Sequence, residues 1–390
     1  MSAPDVIVIG AGIVGTAAAA FLAEGGARVT LYERTGLASG ASGANSGVVQ
    51  HPFDPALVAL CLETVDLYRA LSAADAGFRL PDEPAGLLFI SRHQAAVRRL
   101  AASVAASFPG LRPEVLDGAD LQALEPALAP DLVACRVRMG YPVPPSASTY
   151  AYATLAERWG VAIRLGRRAI LEIDHGRVVG VRVDGHVTPA SAVLVAAGPW
   201  TSELVDPTGR WRPIRPLWGV VVETELAAPP RHVLEEAEID AALGTGEPAG
   251  EGWDRTTTLA SMTDSPATPE FSLVSAGGVS TVGSTFLDRE PDPASWIVPL
   301  MVRGSSFVPG LAEAPIRGVR ACARPQATDG RPLIGGVPGI TGLYVCAGHG
   351  PWGISTGPAS ARLVADLMLG RGVQVPPALE AGRFGSPLGG

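Results

Sequence analysis

Lysine is missing altogether: all 30 basic residues of the 390-residue chain are arginine. Chemistry that needs a lysine amine, as a Schiff base or as an ammonium beside a reacting group, is thereby excluded. Asparagine occurs once, as Asn45 within a Gly/Ser-rich run, and that placement points to a required contact. The four cysteines, Cys61, Cys135, Cys322 and Cys346, lie far apart with no Cys-x-x-Cys pair, which argues against a zinc site and a disulfide framework. The six histidines are equally dispersed. Only 17% of residues are charged, the net charge is −8 and the arginines are scattered, so no nucleic-acid partner is expected. Although 47% of residues are hydrophobic, no apolar run reaches the ~18–20 residues of a transmembrane helix. The chain opens Met-Ser-Ala-Pro-Asp without a basic segment, and a cytoplasmic location is expected.

The length exceeds a typical domain of ~100–200 residues, so two domains are expected. Between Asp5 and Arg34 the chain compresses a complete dinucleotide-binding unit. Val6 to Ile9 is an apolar β-branched run suited to a buried parallel strand, and Thr16 to Ala23 is an Ala-rich helix with Phe21 and Leu22 to pack on the sheet. Gly10 permits the tight turn, Gly12 lets backbone approach a pyrophosphate, and Gly15 lets the helix lie close to the strand. Unpaired amides and the positive dipole end of the helix favour the phosphates there, with Ile13 and Val14 in the first turn. Glu33, ending a second strand, is placed to accept ribose hydroxyls.

A run of small and hydroxyl residues follows from Gly36 to Gly47, ahead of a helical stretch Pro55 to Leu71. It reads either as a flexible linker or as a backbone-rich loop wrapping a ligand; delivery to the carboxyl edge of the sheet favours the second. Strands are expected at 86–91, 161–165, 169–173, 178–183, 192–198, 219–224, 271–275, 279–285 and 342–347. Helices are expected at 95–107, 120–124, 149–159, 296–307 and 354–369. Tyr150, Leu155 and Trp159 are the expected core residues of the 149–159 helix. Glu235 to Thr258 is Gly- and charge-rich and reads as a helix-loop insertion. The last twenty residues read as a Pro/Gly-rich tail. The fold class is therefore α/β: a Rossmann-type cofactor domain (1–85, 145–212 and 318–390) with a second α+β substrate domain on an antiparallel sheet (86–144 and 213–317).

Near the C-terminus, Arg324-Pro-Gln-Ala-Thr-Asp-Gly-Arg-Pro-Leu-Ile-Gly335 is followed by Gly342-Leu-Tyr-Val-Cys-Ala-Gly-His-Gly-Pro-Trp-Gly-Ile354. Together with the Gly10 fingerprint and Val193 to Trp200, these segments resemble the D-amino-acid oxidase superfamily of flavoproteins, particularly its glycine oxidase and sarcosine oxidase branch. The resemblance implies FAD, with adenosine at Glu33 and Arg34, pyrophosphate at Gly10, Gly12 and Gly15, and the flavin ring near Ser42, Asn45, Ser46, Gly47 and Val48. Ala169, Ala197, Gly198 and Trp200 join the cofactor set. Gly348, His349, Gly350, Trp352, Gly353 and Ile354 form the loop that sets amides against the flavin pyrimidine edge, where glycines allow close approach and a helix N-terminus favours developing anionic charge.

On the substrate side, the resemblance places the carboxylate-binding arginine at Arg324, whose planar fork suits two parallel hydrogen bonds. Trp352 is an expected apolar wall, and Trp218 and Gln50 join the candidate catalytic residues. His51 stands one position beyond the point where relatives acting on 2-hydroxy acids carry a base; it reads as a displaced base or as a structural histidine. Cys322 has the spacing of the covalent flavin cysteine of the sarcosine oxidase branch, or is a small buried residue. That branch also uses a lysine for reaction with oxygen, which this chain lacks, so oxygen or another acceptor reoxidises the flavin. The implied reaction is oxidation of a C–N bond in a small amino acid or N-methyl amino acid. The alternatives are a 2-hydroxy-acid dehydrogenase and an auxiliary flavin-binding subunit.

Overall fold

The computed structural model describes residues 5–237 and 269–388. The first segment runs β1 (Val6–Ile9), α1 (Ile13–Glu24), β2 (Val29–Tyr32), α2 (Ala41–Ala44), β3 (Val48–Val49) and α3 (Val58–Ala73). Next come β4 (Leu87–Ser91), α4 (Gln94–Ser107), β5 (Glu114–Asp117), α5 (Gly118–Leu124), β6 (Val133–Val137) and β7 (Tyr141–Pro142). The chain continues with α6 (Ala147–Arg158), β8 (Ala162–Arg164), β9 (Ile170–Asp174), β10 (Arg177–Val183), β11 (His186–Pro189), β12 (Ala192–Val195) and α7 (Thr201–Val205). It then forms β13 (Ile214–Thr224), β14 (Val233–Glu236), β15 (Ser272–Ala276), β16 (Val279–Gly283), α8 (Ile297–Ser305) and β17 (Ile316–Ala327). The last elements are β18 (Leu333–Gly336), β19 (Leu343–Ala347) and α9 (Gly353–Met368).

Two sheets dominate. The first, ordered β18-β19-β12-β1-β2-β8, is parallel except for β18. Its central strand is fully apolar because both faces are covered: α1, built of alanines with Phe21 and Leu22 buried, packs with α6 and α9 on one side, while Ile7 and Ile9 share a core with Val178 and Val181 of β10 on the other. The second, ordered β17-β13-β16-β15-β14-β4-β6-β5, is antiparallel apart from the β14/β4 pair. A meander β11-β10-β9 and the small β3-β7 pair complete the sheets among the described residues. No described helix is long and apolar enough to cross a membrane.

Several expectations need correction. In α6 the side facing α1 carries Ala151, Tyr152 and Ala156, and Tyr152 meets Phe21 edge-on at 5.6 Å between ring centroids. Tyr150 and Trp159, expected in the core, are 49% and 55% exposed, because they lie off the Ala151, Tyr152 and Ala156 face that meets α1. β5 and β6 lie where no strand was expected, and β13 begins before Pro216, which pairs with Pro325. Two prolines can sit opposite each other there because β17 is an edge strand and β16 pairs with β13 only from Val221 to Thr224, so neither proline faces a further ladder partner. The expected return to the cofactor domain at residue 318 falls inside β17, which is paired along its length with β13 in the second sheet. Glu235 and Glu236 belong to β14 rather than to a loop, while positions 238–258 of the expected insertion lie outside the described residues. The C-terminal stretch is docked: Leu379 and Ala381 are buried, and Arg383 clamps Asp329 with hydrogen bonds of 2.7 and 3.0 Å.

Candidate active site

One cavity of about 670 Å³ runs from the carboxyl ends of β1 and β2 to the exposed face of β13 and β17. At its first end the Gly10 turn adopts φ +110°, and a Cβ there would stand 2.4 Å from the Ala196 carbonyl oxygen. Gly12, Ile13 and Val14 line the cavity, with the Ile13 amide donating to Ser42 Oγ at 2.9 Å. Gly15 sits behind the turn instead, where an added Cβ would be 1.9 Å from the Gly10 carbonyl oxygen; it brings helix and strand together. Glu33 accepts the Ala11 amide at 2.9 Å on one oxygen and the Thr35 amide and hydroxyl on the other, leaving an acceptor site on the first oxygen for a ligand. The Arg34 guanidinium lies 4.0 Å over the Trp200 ring, a flat wall beside Glu33.

The middle of the cavity is lined by Ser42, Asn45, Ser46, Gly47, Val48, Ala169, Ala197 and Gly198. The single asparagine is spent within its own loop: Asn45 donates to the Ser42 carbonyl at 2.8 Å and accepts the Gly47 amide at 2.8 Å. Opposite, His349, Gly350, Trp352, Gly353 and Ile354 bring the N-terminus of the 16-residue helix α9 to the wall. Gly348 is not among the described lining residues; it faces Ala327, Leu333 and Ile214. His349 is buried with its pKa pushed down to about 4, so the ring is neutral, and its Nε2 has no hydrogen-bond partner among the described residues.

At the far end, the strand register sorts the candidates. Arg324 pairs with Leu217 and Cys322 with Gly219, so both side chains share the cavity face. Trp218, paired with Ala323, points to the other face with Val220 and Val222, which pack under Leu300 of α8. It is therefore not a cavity residue. Arg324 Nη1 donates to the Thr285 carbonyl at 2.8 Å, Nη2 donates to Ser284 Oγ, and the guanidinium stands 4.5 Å over Phe286. Gly219 makes room for it, since a Cβ there would lie 2.3 Å from Nη2. Burial lowers the Arg324 pKa from its ordinary value, with the Cys322 and Glu270 groups opposing. The Cys322 thiol is held above its ordinary pKa by burial, with Arg324 and Arg320 opposing.

His51 does not reach the cavity either. Its Nδ1 accepts the Phe53 amide at 3.1 Å, its ring packs edge-on to Phe53 and Phe108, and burial pushes its pKa down to about 4. Gln50 does line the cavity, and its amide donates to Glu235 at 2.9 Å. Glu235, Ser284, Phe286 and Gly219 were not recognised from the sequence. Alternation along 214–224 and 316–327 could have grouped Gly219 with Arg324, had the pairing been known.

The first end of the cavity fits a dinucleotide: a turn closed to any side chain, helix-terminal amides, an acid with spare acceptor sites and a flat cationic-aromatic wall. A sequence profile for the family described as "DAO: FAD dependent oxidoreductase" matches residues 5–367. Glycine oxidase of Pseudomonas aeruginosa is 29% identical, over 97% of this chain and 99% of its own length. A D-amino acid dehydrogenase of Cereibacter sphaeroides is 29% identical over 58% of this chain and 47% of its own. The crystal structure of glycine oxidase from Bacillus cereus superposes with a TM-score of 0.80 at 25% identity, covering 96% of this chain and 97% of that one. The chain belongs to the DAO family and is an FAD-dependent oxidoreductase.

Proposed function

We propose that the protein oxidises the carbon–nitrogen bond of a small amino acid or N-methyl amino acid, giving an imine that hydrolyses to a 2-oxo acid. The observation that carries this reading is Arg324, a guanidinium held over Gly219 in the same cavity as the dinucleotide turn. Similarity to glycine oxidase over nearly the whole chain supports it. FAD, when bound, supplies the hydride acceptor for the two-electron oxidation. The amides of Gly12 and Val14 hold the pyrophosphate, Glu33 takes the ribose, and Arg34 with Trp200 flanks the adenine. The amides of Gly350, Gly353 and Ile354 and the N-terminus of α9 favour negative charge at the flavin pyrimidine edge. Arg324 binds the substrate carboxylate through its fork and fixes Cα, while Trp352, Phe286 and Val221 keep the cavity wall apolar. The catalytic contribution is positioning and electrostatics, with no protein nucleophile.

The test is anaerobic bleaching of the visible flavin band of the purified holoprotein by D-, L- and N-methyl amino acids and by 2-hydroxy acids. Bleaching by amines alone is expected, and readmitted air then reports whether oxygen is the acceptor. Bleaching by hydroxy acids alone would overturn the proposal.

A further inference from the structure

The cavity carries a carboxylate that amine oxidation by positioning alone does not require. Alternation along β14 sends its two glutamates to opposite faces. Glu236 turns toward α8, where Arg303 pairs with it, its Nε donating at 3.2 Å. Glu235 turns into the cavity and is only 6% exposed. Gln50, also 6% exposed, reaches it from the segment after β3. The Gln50 main chain is fixed by donation to Ser355 Oγ at 2.9 Å. Because a carboxylate accepts only, the Gln50 amide must present Nε2 to Glu235, and this turns Oε1 away as an acceptor. That oxygen is buried and has no hydrogen-bond partner among the described residues. Gln50 Oε1 thus stands beside the Glu235 carboxylate on the wall of a cavity whose substrate end also holds Arg324, and it is this amide oxygen that lacks a donor among the described residues. A buried acceptor without a donor is costly, so a donor belongs there when the cavity is filled.

The strand order gives the span. Arg324 starts on β17 and crosses β13 to reach Ser284 and Thr285, just past the end of β16. From β16 to β14 there are two strand spacings, roughly 10 Å between backbones, less the reach of the Glu235 side chain. This gap suits a small zwitterion with its carboxylate at one end and its nitrogen at the other. An α-amino acid arrives as an ammonium, and hydride cannot leave Cα with useful help until nitrogen regains its lone pair.

We propose that Glu235, oriented by Gln50, binds the substrate ammonium and accepts its proton, making this pocket selective for small zwitterionic amino acids. The inference rests on the amine-oxidation reading above. In the step, one N–H bond breaks and one O–H bond forms on Glu235; no electrons leave the substrate until the cofactor oxidises the resulting neutral amine. Gln50 is bonded to the proton acceptor on one side and offers Oε1 to a second N–H of the same nitrogen.

The experiment uses the holoenzyme and two ligands: the amino acid that best reduces the wild-type flavin, and its deaminated carboxylate, acetate in the case of glycine. Anaerobic stopped-flow reduction gives the rate and affinity for the first, and perturbation of the flavin spectrum gives the Kd of the second. Glu235→Gln is expected to lower the reduction rate over Kd for the amino acid at least ten-fold while acetate affinity stays within two-fold, and Glu235→Asp is expected to recover part of the loss. Equal losses for both ligands, or no loss for either, would overturn the assignment while leaving amine oxidation standing. Failure of every amine to reduce the wild type would remove both. If Glu235→Gln does not retain FAD, Gln50→Met carries the same comparison, with a selective loss of roughly three-fold expected; an unselective loss, or none, would again overturn it.

Discussion

Adding one methyl group at Gly219 should disable the carboxylate anchor without touching the arginine. A Cβ at this position would sit 2.3 Å from Arg324 Nη2 and 2.4 Å from Cζ and Nη1, far inside van der Waals contact. β13 cannot retreat, because β17 and β16 pair on either side of it. The guanidinium must therefore swing off, giving up the 2.8 Å bond to the Thr285 carbonyl, the bond to Ser284 and its stacking on Phe286. Losing a positioned charge partner for a carboxylate costs about 2–4 kcal/mol, a weakening of roughly 30- to 700-fold. Gly219→Ala should raise the Kd of small carboxylates by that factor in flavin-perturbation titrations, while FAD content is kept and backbone stability hardly changes. Combining it with Arg324→Met should add little, because the first change has already removed what the second would. Wild-type affinity in Gly219→Ala, or fully additive losses in the double variant, would show that Arg324 does not hold the carboxylate from over Gly219.

Glu270 has its carboxyl pushed up to about 8 by burial, with the Glu236 and Glu235 charges adding to it. The folded chain thus holds a proton there that the unfolded chain releases above its ordinary value of 4.5, so stability should fall as pH rises from about 4.5 to 8, by on the order of a few kcal/mol. Glu270→Gln should flatten the fall in Tm across this window; an unchanged slope would refute the assignment. Acid precipitation of the holoprotein should release FAD to the supernatant, since the raised pKa of Cys322 keeps its thiol protonated; flavin that stays with the pellet, and is lost in Cys322→Ala, would establish the covalent link instead. Gly15→Ala places a Cβ 1.9 Å from the Gly10 carbonyl oxygen and should yield protein largely free of FAD by its visible-to-ultraviolet absorbance ratio; full occupancy would show that the turn tolerates displacement.

The cofactor end was legible because its signals are local. Strand, glycine turn, helix and terminal acid follow one another within Asp5 to Arg34, and each is set by neighbours a few residues away. Arg324 and the Gly350 to Ile354 segment were singled out only through the family resemblance, and both line the cavity. The substrate end was not legible, since its geometry is made by pairing between distant strands. Whether Trp218 or Gly219 faces the cavity turns on a register of one residue against β17, which nothing in 214–224 specifies alone. Glu235 lay hidden in a segment whose glycines and charges suggest a loop, because β14 is held by Leu87 to Ile90 on one side and by Ser272 and Leu273 on the other. The buried face of α6 is hard to read because aromatics fall on both sides of the helix, and only the contact of Tyr152 with Phe21 of α1 selects which side is covered.

β17 passes through residues 328–332 directly into β18, whose partner β19 leads on to α9. The bend is pinned by Arg383 on Asp329 and by Arg331 on Asp54, at 2.7 and 3.0 Å. Arg324 and the α9 terminus are thus two ends of one short, braced piece of chain, like the fixed jaw of a vice. The opposite jaw is the wall made by Gln50 and β14, which, on the function proposed above, is where substitutions would retune the choice of substrate.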